Sequence, residues 1–259
     1  MHIFLVNDDG IQAKGIQALV RAATAKGHRV TMCAPATQQS AASQRITLAE
    51  PIYVAPYPAD SPLVTAYAIT GTPTDCVRLG LQDLVKDPVD VLISGINNGY
   101  NSGMAVHYSG TVAAAQEGAL NGLHAIACSI HYQASQELID RFAAFVVDTA
   151  ESFVSLSLPR GVILNINAPD DSQGPWKEPV LAPLCTSNFT DGYLRRKSPR
   201  AGVYYWLDGS SSTEPPTPGA DQDLLSKGHI TMTFMGNPSD HGAAFCDFVT
   251  ACQNPLKPR

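Results

Sequence analysis

Asp8 and Asp9 stand side by side in Asn7-Asp8-Asp9-Gly10, directly after the apolar run His2 to Val6. Adjacent carboxylates repel each other, and a divalent cation removes that repulsion. Oxygen ligands of this kind suit Mg²⁺, Mn²⁺ or Ca²⁺. The same pair could instead cap the next helix or make an Asx-turn. Two later stretches bear on the choice. Thr37 to Gln44, small and polar, carries Ser40 and Ser43, and Ser94 to Asn101 carries Asn97, Asn98 and Asn101. Carboxylate, hydroxyl and amide oxygens together form a hard-ligand set. Ser109-Gly110-Thr111 then opens a helix, where backbone N–H groups and hydroxyls are suited to hold a phosphate. A metal beside an anion cradle points to phosphoryl chemistry. Asp8 or Asp9 would position the attacking water or take its proton. His107 is a candidate general acid, or simply a solvated or capping histidine.

These residues must be positioned by an α/β sheet. His2 to Val6 reads as a buried strand ended by a turn at Gly10. Ile16 to Ala25 is helical and His28 to Ala34 is a second strand, so the opening is a βαβ unit with a parallel sheet. In such sheets ligands bind off the carboxyl ends of the strands, which is where the aspartates fall. Ile46 to Leu48, Ile52 to Val54 and Val64 to Ile69 read as short strands. Thr72 caps a helix running to Leu84, with Pro73 at its first position and Asp75 in its first turn. Val89 to Ile93, His124 to Ile130 and Gly161 to Asn167 are further strands, and Leu138 to Phe153 carries a helical apolar stripe. Residues 1–170 form a Rossmann-like three-layer core. Residues 171–259 read as a smaller β-rich appendage and tail, with isolated strands at Val203 to Leu207 and His229 to Phe234 and a helix at Phe245 to Cys252.

The 259 residues are 44% hydrophobic, enough for a substantial core. A net charge of −6 argues against stable nucleic-acid binding, which needs a basic surface. Arg195, Arg196, Lys197 and Arg200 form a basic cluster, either a site for phosphate chains or a solvated hairpin tip. No apolar run is long enough for a membrane span, and no signal-peptide pattern is present. The six cysteines lack C-x-x-C spacing; Cys33 and Cys128 read as core residues, and a reducing cytoplasm is the simplest setting.

Several motifs taken together resemble the SurE family (survival protein E), metal-dependent 5′/3′-nucleotidases. They are Asn7-Asp8-Asp9-Gly10 with Gly15-Ile16, and Ala34-Pro35 with Ser40 and Ser43. Gly71-Thr72-Pro73-Thr74-Asp75-Cys76 and Ser94-Gly95-Ile96-Asn97 with Gly99 and Asn101 follow. Tyr108-Ser109-Gly110-Thr111-Val112 with Glu117-Gly118, Leu164 to Pro169, and Tyr205-Trp206 complete the set. The resemblance implies a hairpin arm and a subunit-swapped C-terminal element, hence a homodimer or homotetramer. It implies one Mg²⁺ or Mn²⁺ per subunit held by Asp8, Asp9, Ser40 and Asn97. Ser43, Asn98, Ser109, Gly110 and Thr111 would hold the phosphate of a nucleoside monophosphate. Side activity on short polyphosphate is also implied. Three other readings compete: a metal-dependent deacetylase, which would want histidine ligands; an aspartyl-phosphate phosphatase, which would want D-x-D spacing; and a nucleotide sensor without turnover.

Overall fold

The structure, a computed structural model, describes residues 1–172, 174–186, 190–210 and 215–236. In chain order the elements are β1 (His2–Val6), α1 (Lys14–Ala25), β2 (Arg29–Pro35), β3 (Val54–Pro56), β4 (Val64–Ile69), α2 (Pro73–Leu79) and β5 (Val91–Asn98). They continue with α3 (Gly110–Leu120), β6 (His124–Ile130), α4 (Gln136–Phe153), β7 (Ile163–Ala168), β8 (Lys177–Leu181), β9 (Thr190–Ser198), β10 (Gly202–Ser210), α5 (Asp221–Ser226) and β11 (His229–Met235). Nine strands form one sheet in the order β3-β4-β2-β1-β5-β6-β7-β11-β8, while β9 and β10 make a separate antiparallel hairpin. The pairings from β4 through β7 are all parallel.

The alternation along β1 shows how the layers arise. Ile3 and Leu5 face one core with α1 and α4, where Ile16, Leu19, Leu138, Phe142 and Val146 pack. Phe4 and Val6 face the other, against Cys76 and Val77 of α2 and Val112, Ala114 and Ala115 of α3. A period of two in a strand thus divides one apolar run between two helical layers. Phe4 meets α2 closely: a Cβ at Gly80 would lie 2.5 Å from its ring. The helix expected to reach Leu84 is α-helical only to Leu79 and continues as a wider π-helical turn over Gly80–Leu84.

Further expectations are corrected. Ile46 to Leu48 is not a strand, because its hydrogen bonds go to a helix end. The Asp75 carboxylate takes both the N–H and the hydroxyl of Thr47, and the Thr72 hydroxyl donates to Arg45 O. β5 does not stop at Ile93 but runs to Asn98, with a bulge between Ser94 and Asn97. β8 was not foreseen. Nor is His229 to Phe234 isolated: β11 pairs antiparallel with β7 and parallel with β8 inside the main sheet. The helix expected at Phe245 to Cys252 and the swapped C-terminal element lie outside the described residues.

Candidate active site

The chain leaves β1, crosses to β2 and β4 on one side, then returns to β5 on the other side of β1. This reversal opens a crevice at the carboxyl ends of β1 and β5, the place where doubly wound sheets bind ligands. Asn7 shapes the turn there, its amide donating to Gly10 O over 2.9 Å. Gly10 has φ of +98°, a conformation that glycine adopts without steric cost.

The two aspartates take different partners at the sheet edge. Asp8 is only 5% exposed and reaches the first turn of α3, where the Thr111 hydroxyl donates to Oδ1 at 2.6 Å. Burial pushes its carboxyl up to about 6, against the Thr111 hydrogen bond and with help from the Asp9 charge. Asp9 is half-buried and lies toward α1; Asn98 N–H donates to its Oδ2 at 3.0 Å, and the Gln38 amide reaches Oδ1 at 3.3 Å. Burial raises its carboxyl too, opposed by those two hydrogen bonds. Among the described residues, no lysine, arginine or histidine forms an ion pair with either aspartate.

The serine loop is fastened to this edge at both ends. Gln39 N–H donates to Asp8 O at 2.7 Å. Gln38 also donates to Ser40 Oγ at 3.0 Å, so one amide spans Asp9 and Ser40. Ala41 and Ser43 have φ of 55° and 48°, a left-handed backbone that costs L-residues about 1–2 kcal/mol each. Ser43 is held in it by its N–H to Tyr108 O and its hydroxyl to His107 O. His107 ends a single 3₁₀ turn, Gly103–His107, which leads into α3.

At the end of β5 the Asn97 amide nitrogen donates to Gly99 O at 2.7 Å. That fixes the amide's orientation and leaves its carbonyl oxygen as the free acceptor. At α3 the hydroxyls are less free than the sequence suggests. Ser109 Oγ caps the helix by accepting Val112 N–H, and the Thr111 hydroxyl is committed to Asp8. Gly110 N–H has no partner among the hydrogen bonds of the described residues. A Cβ at Gly110 would lie 2.9 Å from Asp8 Cβ and 3.1 Å from Pro73 Cγ, so glycine lets α3 approach this closely.

Asn101 is the residue of the loop that turns away. It is 6% exposed and bound inward: its N–H donates to Asn167 Oδ1, its amide to Ser129 Oγ, and its carbonyl accepts from Asn165 and Asn167. It braces the loop rather than joining the oxygen cage. Gln38 was missed by sequence reasoning, and Asn165 and Asn167 entered only as part of the Leu164 to Pro169 motif, without a role. Asn165 and Asn167 did leave a signal, since two amides at i and i+2 place polar groups on one face of an otherwise apolar strand.

A metal fits these donors. No cluster of three or more His, Cys, Asp or Glu side chains exists among the described residues. A cation at Asp8 and Asp9 would therefore complete its shell with neutral oxygens. Two desolvated, unpaired carboxylates beside neutral oxygens suit a hard cation such as Mg²⁺ or Mn²⁺.

The fold and this edge define a class: a three-layer α/β protein with paired carboxylates and a helix N-terminus at its switch point. The sequence model of the family described as Survival protein SurE matches residues 3–191. The 5′-nucleotidase SurE of Maridesulfovibrio salexigens is 39% identical over 236 residues, covering 90% of this chain and 92% of that one. Its counterpart from Thermosipho melanesiensis is 38% identical over 90% of both. The crystal structure of the SurE protein from Aquifex aeolicus superposes with a TM-score of 0.75 at 26% identity, covering 91% of this chain and 93% of that one. The chain belongs to the SurE family.

Proposed function

We propose that this chain is a metal-dependent phosphomonoesterase that hydrolyses nucleoside monophosphates to nucleoside and phosphate. The observation that carries the reading is the pair of desolvated carboxylates without a cationic partner, one of them, Asp8, held by the first turn of α3. The curated relatives' names give the substrate class. One divalent ion, Mg²⁺ or Mn²⁺, would be held by Asp8, Asp9, Ser40 and Asn97; when bound it polarises a phosphoryl oxygen and makes a water more acidic.

The chain's own residues supply the rest. Asp8 is locked by Thr111 and serves as a fixed ligand. Asp9 is more open and steadied by the Asn98 peptide and Gln38, so it orients the attacking water and accepts its proton. Gly110 N–H, together with Asn98 and Ser43, would receive the phosphoryl oxygens at a helix N-terminus, where the macrodipole favours negative charge. Thr111 acts through Asp8, and Ser109 holds the first turn of α3. Activity on 3′-monophosphates and short polyphosphate would use the same groups.

We also propose a homodimer or homotetramer. The β9–β10 hairpin exposes Tyr193, Tyr204, Tyr205, Trp206 and Leu207, an apolar ribbon better suited to a subunit contact than to water. Arg195 and Arg196 pair across it with Tyr205 and Tyr204, so the basic cluster lies on this arm.

Phosphate release from a panel of 5′- and 3′-monophosphates, in chelator and with Mn²⁺ or Mg²⁺ restored, tests the reaction. Release that needs the metal and favours nucleotides is expected. Full activity in chelator, with no metal detectable in the protein, would sink the metal assignment. Metal should also raise the melting temperature, since an ion at a hundred times its Kd adds about 2.7 kcal/mol to the folded state.

A further inference from the structure

Two cavities flank the candidate site. One, of about 640 Å³, starts at Ser43, His107 and Ser109 and runs along α3 to Leu120 and Gly161. It leads away from the carboxyl edge and touches neither aspartate. The other, of about 350 Å³, is lined by Asp9 and Asn98 at one end and by Ile96, Ile130, Ala134 and Ile139 below. Tyr132 forms its wall, with Lys14, Gln38 and Gln136 among its polar neighbours. Its volume falls in the range of small-molecule sites, and its lining mixes polar and apolar groups.

Tyr132 is 63% exposed. An aromatic ring left open beside a charged site is a stacking surface for another flat ring. It has an aromatic neighbour. Its ring lies 4.6 Å from that of His131, which lies 5.4 Å from Tyr100, and His131 Nδ1 is 3.2 Å from Asp170 Oδ2. The cavity shares Asp9 and Asn98 with the catalytic edge, so the two adjoin.

We propose that the cavity between α1 and α4 is the nucleoside subsite, with the nucleobase stacked on Tyr132. This rests on the phosphomonoesterase reading and adds the residue that selects nucleotides over smaller esters. Tyr132 touches no reacting atom, so it is a specificity residue.

The test compares AMP with glycerol phosphate as substrates of the parent chain, Tyr132→Ala, Tyr132→Phe and Gln116→Ala. It is paired with calorimetric titration of adenosine into each metal-free protein. Tyr132→Ala should raise the KM for AMP on the order of tenfold, with kcat little changed, and lower the preference for AMP over glycerol phosphate to match. Adenosine affinity should fall by a similar factor. Tyr132→Phe keeps the ring and should behave as the parent, and Gln116→Ala, in the groove along α3, should leave the AMP preference as it was. Unchanged AMP preference and adenosine affinity in Tyr132→Ala overturn the proposal. So does a KM rise in Gln116→Ala with Tyr132→Ala silent, which would move the base to the α3 groove. If the parent hydrolyses neither ester, the reaction reading fails, and the adenosine titration still decides the subsite.

Discussion

Asp75 and Asp8 are buried almost equally, 4% and 5% exposed, each against the first turn of a helix. Their carboxyls nevertheless shift in opposite directions. Burial pushes Asp75 up, but hydrogen bonds from Thr47 and Thr72 outweigh that and hold it below the ordinary range. Asp75 closes a capping box with Thr72 and pins the 45–47 segment across the end of α2. Asp8 has one strong donor in Thr111 and a second negative charge beside it, and its carboxyl rises to about 6. A carboxylate whose hydrogen bonds are complete is part of the scaffold. One left short of partners, with a like charge as neighbour, is set for a ligand that is not protein.

The largest effect that would break this contrast is on turnover. Asp9→Asn should lower hydrolysis by a factor on the order of 10³ or more, the scale reached when a group acting in the transition state is lost. The thermal melt should stay near that of the parent; comparable turnover would remove Asp9 from the site. Next comes Asp75→Ala, which strands the Thr47 and Thr72 donors and should cost about 2–3 kcal/mol in denaturant unfolding. Asp8→Asn should do the reverse in chelator: removing an uncompensated buried charge is expected to leave stability equal or higher by about 1 kcal/mol while activity is lost. A clear loss of stability would mean Asp8 is scaffold as well.

A pH series sharpens the same point. The folded pKa of Asp75 lies below its usual 3.8, so its contribution is fully present above that value. It is lost as the pH falls through the folded pKa. The stability gap between the parent and Asp75→Asn should therefore be widest near neutrality and close on acidification. The smallest effect is expected from Gln38→Ala, which frees Asp9 and Ser40 from their shared amide. A fall in rate of about tenfold is anticipated, the scale of an outer contact that orients a ligand.

Much of this edge was legible because it follows local rules. An apolar run ending in Asn-Asp-Asp-Gly makes a strand and turn wherever it lies, and Thr-Pro-x-Asp makes a capped helix start. What was hidden depends on tertiary placement. Gln38 looked like any loop polar residue until the loop closed over Asp9. The Ile46–Leu48 run carries strand formers, yet its hydrogen bonds go to Asp75. β11 lies sixty residues of chain beyond β7, with a hairpin between, and nothing local marks it as β7's neighbour. Asn101 lies among ligand-like residues in sequence and was read with them, whereas Asn165 and Asn167 on β7 draw it inward.

Gly110 has a bearing on how the protein can change. Its missing side chain is the gap into which Asp8 and Pro73 fit, one from the first strand and one from the start of α2. Three stretches that lie far apart along the chain therefore meet at a single point and form one mutational unit. In a deep mutational scan, substitutions at Gly110 should be tolerated only together with changes at Asp8 or Pro73. The helix that would receive the substrate cannot be retuned without moving the strand that carries the first carboxylate.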